Sequence, residues 1–187
     1  DIDCKDNLAQ AIESANTLVG RLIDQDVPEE CIEVVASGSK GLHVMVPQTL
    51  FSTGRAIRSL PLIYMEMAKE LHVLGLDFQV YSMGRGVSWR IRNQQRKDGV
   101  YPVPLTTQEL KALTAETYKE TVAKPRYLQS KEVSKDTKAA GLMSMFDRAK
   151  KAAKANAKTR TSVPDERFKD LAGVIPNCIQ EVADYNV

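Results

Sequence analysis

Three aspartates and one glycine-bearing loop carry the chemistry open to this sequence. Asp1 and Asp3, in the opening "DID", project from one side if residues 1–4 end a strand, because strand side chains alternate. Two carboxylates held a few ångströms apart repel unless a cation sits between them, and hard Mg²⁺ or Mn²⁺ prefers carboxylate oxygen. "SGSKGLH", residues 37–43, sets Ser37, Ser39 and Lys40 around two glycines and opens an apolar run with His43, one of the chain's 2 histidines. Glycines let backbone N–H groups approach an anion, Lys40 adds positive charge, and the hydroxyls donate hydrogen bonds. The combination suits a triphosphate, although the G-x-x-x-x-G-K-[ST] order of a Walker loop is absent. Its plain alternative is a turn between strands that ends in a hydrogen-bonded histidine. Asp77 opens a further apolar stretch and could add a third carboxylate from a separate strand. Arg85, Arg90, Arg92, Arg96 and Lys97 follow within thirteen residues, opposed only by Asp98, as suits the holding of phosphates. Trp89 and Tyr81 could stack on bases or fill a core.

These residues need elements to position them. Apolar residues from Leu8 to Ile23 recur at three and four, which predicts a helix with Asp6 as N-cap and a stop at "QDVPEE". "CIEVVA" and "HVMVP" read as strands on either side of the loop. "LPLIYMEMAKELHVLG" is helical in spacing, with His72 exposed and Gly75 as the stop. "LDFQVYS", "VSWRIR" and "VYPVPL" read as short strands. Thr106 to Glu109 forms a capping box ahead of "TTQELKAL". After Leu113 the texture becomes Lys-, Ala-, Ser- and Thr-rich. "EVSKDTKAAG" reads as a loop, "LMSMFDRAKKAAKANAK" as a basic amphipathic helix, and "PDERFKDLAG" and "PNCIQEVADYN", with Pro176 in its first turn, as two short helices.

At 187 residues, 43% hydrophobic and 27% charged, the chain has an ordinary globular composition. No apolar run reaches the roughly 18 residues of a membrane span, so no membrane partner is expected. Cys4, Cys31 and Cys178 form no C-x-x-C pair, so neither a zinc ribbon nor a disulfide framework is indicated, and a reducing cytoplasm fits. The net charge of +2 conceals an imbalance. Residues 119–160 hold twelve Lys/Arg against four Asp/Glu, leaving the remainder at −6. A polyanion partner or a basic linker would account for this equally well. With no initial methionine and an ending inside a helical pattern, the chain reads as a piece of a longer protein.

Taken in order, the D-x-D, the SG-x-x-G-x-H ahead of a strand, and the Asp of "DFQVYS" followed by arginines resemble the archaeo-eukaryotic primase superfamily over residues 1–113. "GVYPVPLTTQEL" is similar to the segment that closes this core in primase-polymerases of phages, plasmids and other mobile elements. "FKDLAGVIPNCI" is similar to the start of their helix-bundle domain. The resemblance implies an α/β (α+β) fold: an RRM-like antiparallel sheet with flanking helices, forming the C-terminal half of a primase catalytic core. It also implies a partial core at 1–113, a basic helical linker at 114–163 and a truncated helix-bundle start at 164–187. The family's core has a stretch ahead of the D-x-D that this chain lacks, so a complete site is expected only in the parent protein.

The resemblance further implies roles. Asp1, Asp3 and Asp77 would ligate two Mg²⁺ or Mn²⁺ ions. Ser37, Ser39, Lys40 and His43, with Arg85 and Arg90, would hold the incoming NTP or dNTP. Arg92, Arg96 and Lys97 would run along a single-stranded DNA template. The reaction would be attack of a 3′-hydroxyl on a nucleotide's α-phosphate, in replication of a mobile or phage-like element, in the cytoplasm, with a helicase in the parent chain or replisome as a further partner. Two alternatives stand: the polymerase domain of an end-joining ligase, which shares the SG-x-K-G-x-H stretch, and a non-catalytic single-stranded nucleic-acid-binding module.

Overall fold

The computed structural model describes residues 1–4, 7–52, 57, 59–81, 91–128, 133–134 and 136–160. It divides into two units, Asp1–Ala153 and Lys154–Val187; what is described of the second is the end of one helix. Arg85, Arg90, Trp89, Asp6 and the two short helices expected after residue 163 lie outside the described residues.

In the first unit, strand β1 (Ile2–Asp3) leads to helix α1 (Leu8–Ile23). The N-cap is Asn7, whose Oδ1 accepts from the Gln10 amide at 3.0 Å, satisfying one of the unpaired donors of the first turn. Ala11, Ile12, Ala15, Leu18, Val19 and Leu22 are buried, so the stripe read from the spacing is the packed face. Pro28 starts a 3-10 turn, Glu29–Cys31, so "CIEVVA" becomes a strand only at β2 (Glu33–Ala36). β3 (Gly41–Met45) follows, then α2 (Leu60–Glu70), β4 (Val103–Leu105) and α3 (Thr107–Ala112).

The four strands form one antiparallel sheet in the order β1-β3-β2-β4, flanked by helices, which is a mixed α+β fold. Beyond β1, Leu76 bridges back to Ile2 in antiparallel sense. The chain thus runs β-α-β-β-α and returns to the outside of its first strand, the ferredoxin-like order with its last strand reduced to one bridge. "LDFQVYS" therefore does not continue as a strand. Asp77 Oδ1 accepts from the Gln79 amide at 2.8 Å and turns the backbone into the 3-10 helix Phe78–Tyr81. "VYPVPL" keeps only Val103–Leu105 in the ladder, and Ile91 and Arg92 belong to no strand.

One core joins Ile2, Val34, Ala36 and Leu42 of the sheet to α1, and it reaches past residue 113. The supposed connector contains α4 (Ala115–Val122), capped by Thr114, with Tyr118 and Val122 buried. It leads to α5 (Ala140–Arg160), which buries Leu142, Met145, Phe146, Ala149 and Ala153 at helical spacing. The compact unit runs to Ala153, because the apolar side of α5 is buried in the same core. Among the described residues, no helix is long and apolar enough to cross a membrane.

The capping box of α3 forms as the sequence indicates. The Thr106 hydroxyl accepts from the Glu109 amide at 3.1 Å, and Glu109 accepts from the Thr106 amide at 2.8 Å and from Arg126 at 2.7 Å. Burial works against ionisation of Glu109, but the Thr106 amide, Arg126 and the Thr106 hydroxyl together hold its carboxyl below the ordinary 4.5. A depressed carboxylate stabilises the fold above pH 4.5, and that contribution disappears as pH falls through the lower folded value. Thr106→Ala is expected to cost about 1 kcal/mol at neutral pH, with a smaller difference from the parent chain in acid. Denaturant melts at pH 7 and pH 3 measure both.

Candidate active face

The strand register brings the separate motifs together. Ile2 pairs with Leu42 and Asp3 with Gly41, so Asp1 falls opposite His43. His43 Nε2 lies 3.4 Å from Asp1 Oδ1, with the two side chains 15% and 24% exposed. On the other side of β1, the Asp77 amide donates to the Asp1 carbonyl at 3.0 Å, and the Asp3 amide donates to the Gly75 carbonyl at 3.0 Å. Asp1 therefore stands between His43 and Asp77 in register, on the side of the sheet opposite buried Ile2 and Leu42, with Asp3 one pleat along. Tyr81 ends the 3-10 helix that Asp77 begins; burial first, then the Asp77 carboxylate and Tyr64, push its phenol above the ordinary 10 and keep it neutral.

Carboxylate oxygens are the right donors for a hard divalent cation. Their placement supplies less than a full site. Among the described residues, no three His, Cys, Asp or Glu side chains are gathered closely enough to hold a metal ion. Asp77 also commits one oxygen to the Gln79 amide. The donor set fits in kind and in face, but not in closeness.

The loop 37–41 is built differently from the open phosphate cradle expected of it. The Gly38 amide donates inward to the Tyr118 hydroxyl at 3.2 Å, and that hydroxyl donates to the Gly41 carbonyl at 2.9 Å. The Gly41 amide donates to Ser37 Oγ at 3.3 Å, and Arg96 Nη1 donates to the Ser37 carbonyl at 3.3 Å. Both glycines answer to packing. Gly38 has φ +82°, and a Cβ there would meet the Tyr101 carbonyl at 2.9 Å; a Cβ on Gly41 would lie 1.9 Å from the Ile2 carbonyl. Ser39 and Lys40 are exposed at the tip, and His43 continues from it into β3.

Of the described residues of the cationic strip, two arginines are paired. Arg92 is hydrogen-bonded to Glu33, Arg96 pairs with Asp98 at 3.2 Å and is spent on the loop, and Lys97 is exposed. Glu33 is 59 residues away in sequence, which hid the pairing. A cleft of about 690 Å³ opens elsewhere, lined among others by Glu33, Met45, Arg92, Leu105 and Thr107, and it contains none of the three aspartates, His43 or Lys40. Asp1, Asp3, His43 and Asp77 stand outside it, on the side of the sheet opposite buried Ile2 and Leu42.

Sequence reasoning missed Tyr118. It lies in a stretch whose charge suggested a connector, and the signal that could have found it is the Thr114–Thr117 capping box with Tyr118 and Val122 four residues apart. No protein-family model, curated protein or solved structure matches the chain.

Proposed function

We propose that this chain carries the catalytic face of a template-directed nucleotidyltransferase of the primase-polymerase type. The observation that carries the reading is the alignment of Asp1 between His43 and Asp77, from three separate stretches of sequence, on one side of the sheet. In this reading His43 and Lys40 supply donors and positive charge to the triphosphate of an NTP or dNTP, a matter of positioning and electrostatics. Ser37 and Ser39 complete the loop around it, with Arg85 and Arg90 as further nucleotide contacts. Asp1, Asp3 and Asp77 are the carboxylates assigned to Mg²⁺ or Mn²⁺, which when bound would neutralise charge on the phosphates. Lys97 contacts the single-stranded DNA template, while the pairing of Arg92 and Arg96 leaves them less to give to it. A helicase partner and a cytoplasmic setting belong to the same proposal.

The test is synthesis. The full-length parent protein is incubated with single-stranded template, labelled nucleotides and Mn²⁺ or Mg²⁺, beside its Asp1→Ala and His43→Ala variants. Metal-dependent products that vanish in both variants are the expected result. Their lengths would separate primer synthesis from the gap filling of an end-joining polymerase. Template binding without synthesis under either metal would overturn the catalytic reading in favour of a binding module.

A further inference from the structure

We propose that Tyr118, from the helix α4 outside the motif-bearing region, is the positioning residue of the nucleotide-binding loop, and that it leaves the tip side chains rather than the Gly38 amide to meet the triphosphate. This rests on the nucleotidyltransferase reading above. Tyr118 is 1% exposed, and its hydroxyl lies between the two ends of the loop, accepting from the Gly38 amide and donating to the Gly41 carbonyl. A group that accepts at one end and donates at the other fixes the span between them, as a crosslink would. Burial pushes the phenol above its ordinary 10, despite the opposing effect of its hydrogen bonds to Ser37, Gly38 and Ser39 and of Arg96. It therefore stays protonated and able to donate at neutral pH.

The rest of the loop's underside is held in the same way. Arg96, its side chain 17% exposed, holds the Ser37 carbonyl from below. The Tyr101 amide donates to the Val122 carbonyl at 2.8 Å, tying the segment beneath Gly38 to the end of α4. With its first glycine amide turned inward, the loop presents Ser39 and Lys40 at its tip, beside the strand that carries His43. A phosphate-binding loop ordinarily spends its glycine amides on the anion. Here the phenolic oxygen occupies the place of the anion at Gly38, so the triphosphate is held by the Ser39 hydroxyl, the Lys40 ammonium and the His43 imidazole. A fixed tip removes the ordering cost that a mobile loop would pay on binding.

The experiment uses the full-length parent protein, without substitution and as Tyr118→Phe and Val122→Ala. It measures affinity for fluorescent ATP and dATP in the presence of Mn²⁺, and hydrogen exchange at the Gly38 amide. Tyr118→Phe keeps the ring in the core and deletes only the hydroxyl. Val122→Ala weakens the packing of the same helix and keeps the hydroxyl. Tyr118→Phe is expected to bind about tenfold more weakly, roughly the value of one hydrogen bond to a positioned group, and to exchange Gly38 at least tenfold faster. Val122→Ala should bind within about twofold of the parent. Unchanged or tighter binding in Tyr118→Phe, as expected if the freed amide joins the site, overturns the proposal while leaving the nucleotidyltransferase reading intact. Equal weakening in both variants also overturns it, by reducing Tyr118 to a packing residue. Absence of nucleotide binding in the parent chain removes the functional reading and this proposal with it, and Gly38 exchange then reports only whether the tyrosine holds the loop.

Discussion

Gly41→Ala is expected to destabilise the protein by about 3 kcal/mol or more and to separate Asp1 from His43. The new methyl group would sit 1.9 Å from the Ile2 carbonyl carbon's oxygen, a contact that no rotamer can relieve because the obstacle is backbone. One partner must move, and β1, a two-residue strand, is the weaker. Lifting it breaks the Ile2–Leu42 and Asp3–Gly41 pairs and pulls a fully buried isoleucine from the core, a loss of about 1.5–3 kcal/mol from hydrophobic burial alone. Denaturant midpoints measure the energy, and the His43 imidazole resonances report whether the carboxylate has left. Gly20→Ala is the control. It sits in α1 with nothing within 4 Å of the new methyl group, and it should gain up to about 1 kcal/mol from helix propensity. A Gly41→Ala chain as stable as its parent would mean that β1 is not closely held on β3, and the face described above would lose its first strand.

The second large effect is expected at Phe146. Its ring is buried against Phe51 at 5.5 Å between centroids, and Phe51 in turn meets Tyr64 edge-on at 6.1 Å. Phe146→Ala should cost about 3–5 kcal/mol, since the lost transfer energy is joined by the cavity and by the broken aromatic contact. The result discriminates between two accounts of residues 140–153. If α5 were a basic connector, truncating one of its aromatics would change the melting midpoint little; as part of the core, it should shift the midpoint by many degrees. Lys151→Ala, on the exposed side of the same helix, provides the baseline and should stay within about 0.5 kcal/mol.

How much of this was legible follows from where each signal resides. The period of three and four in residues 8–23, the loop between β2 and β3, and the Thr106–Glu109 box are local patterns, and each appears in the fold as read. The convergence of Asp1, His43 and Asp77 required the register of three segments, which residue spacing can suggest but cannot fix. The loop misled because glycine has more than one use. Gly38 and Gly41 suggested an amide cradle, whereas the first answers to a positive φ and the second to the close passage of β1. The arginines misled for another reason: Arg92 and Arg96 look like a cationic strip only until Glu33 and the Ser37 carbonyl arrive from distant sequence. α5 was read as an amphipathic helix and appears as one; what lysine-rich composition masked was α4, and the burial of α5's apolar side in the same core as the sheet. Asp77 is the reverse case. Its place beside Asp1 was anticipated, but the strand it was expected to open is a 3-10 turn that its own carboxylate begins.

The junction of α1 and α5 sets an order of events during synthesis. A Cβ on Gly141 would lie 2.8 Å from the Gln25 backbone, the Gly141 amide donates to Asp26 Oδ2 at 2.9 Å, and the Leu142 amide donates to the Gln25 carbonyl at 3.0 Å. These contacts close a loop of 115 residues. The turn after α1 is thus left without its partners until nearly the whole unit has been made. Closing so long a loop is slow relative to forming local helices. A ribosome that has translated only the motif-bearing residues holds a chain whose core still lacks the α5 side chains that complete it. Protection of the nascent chain from protease should therefore rise in one step after Phe146 emerges, rather than gradually with length.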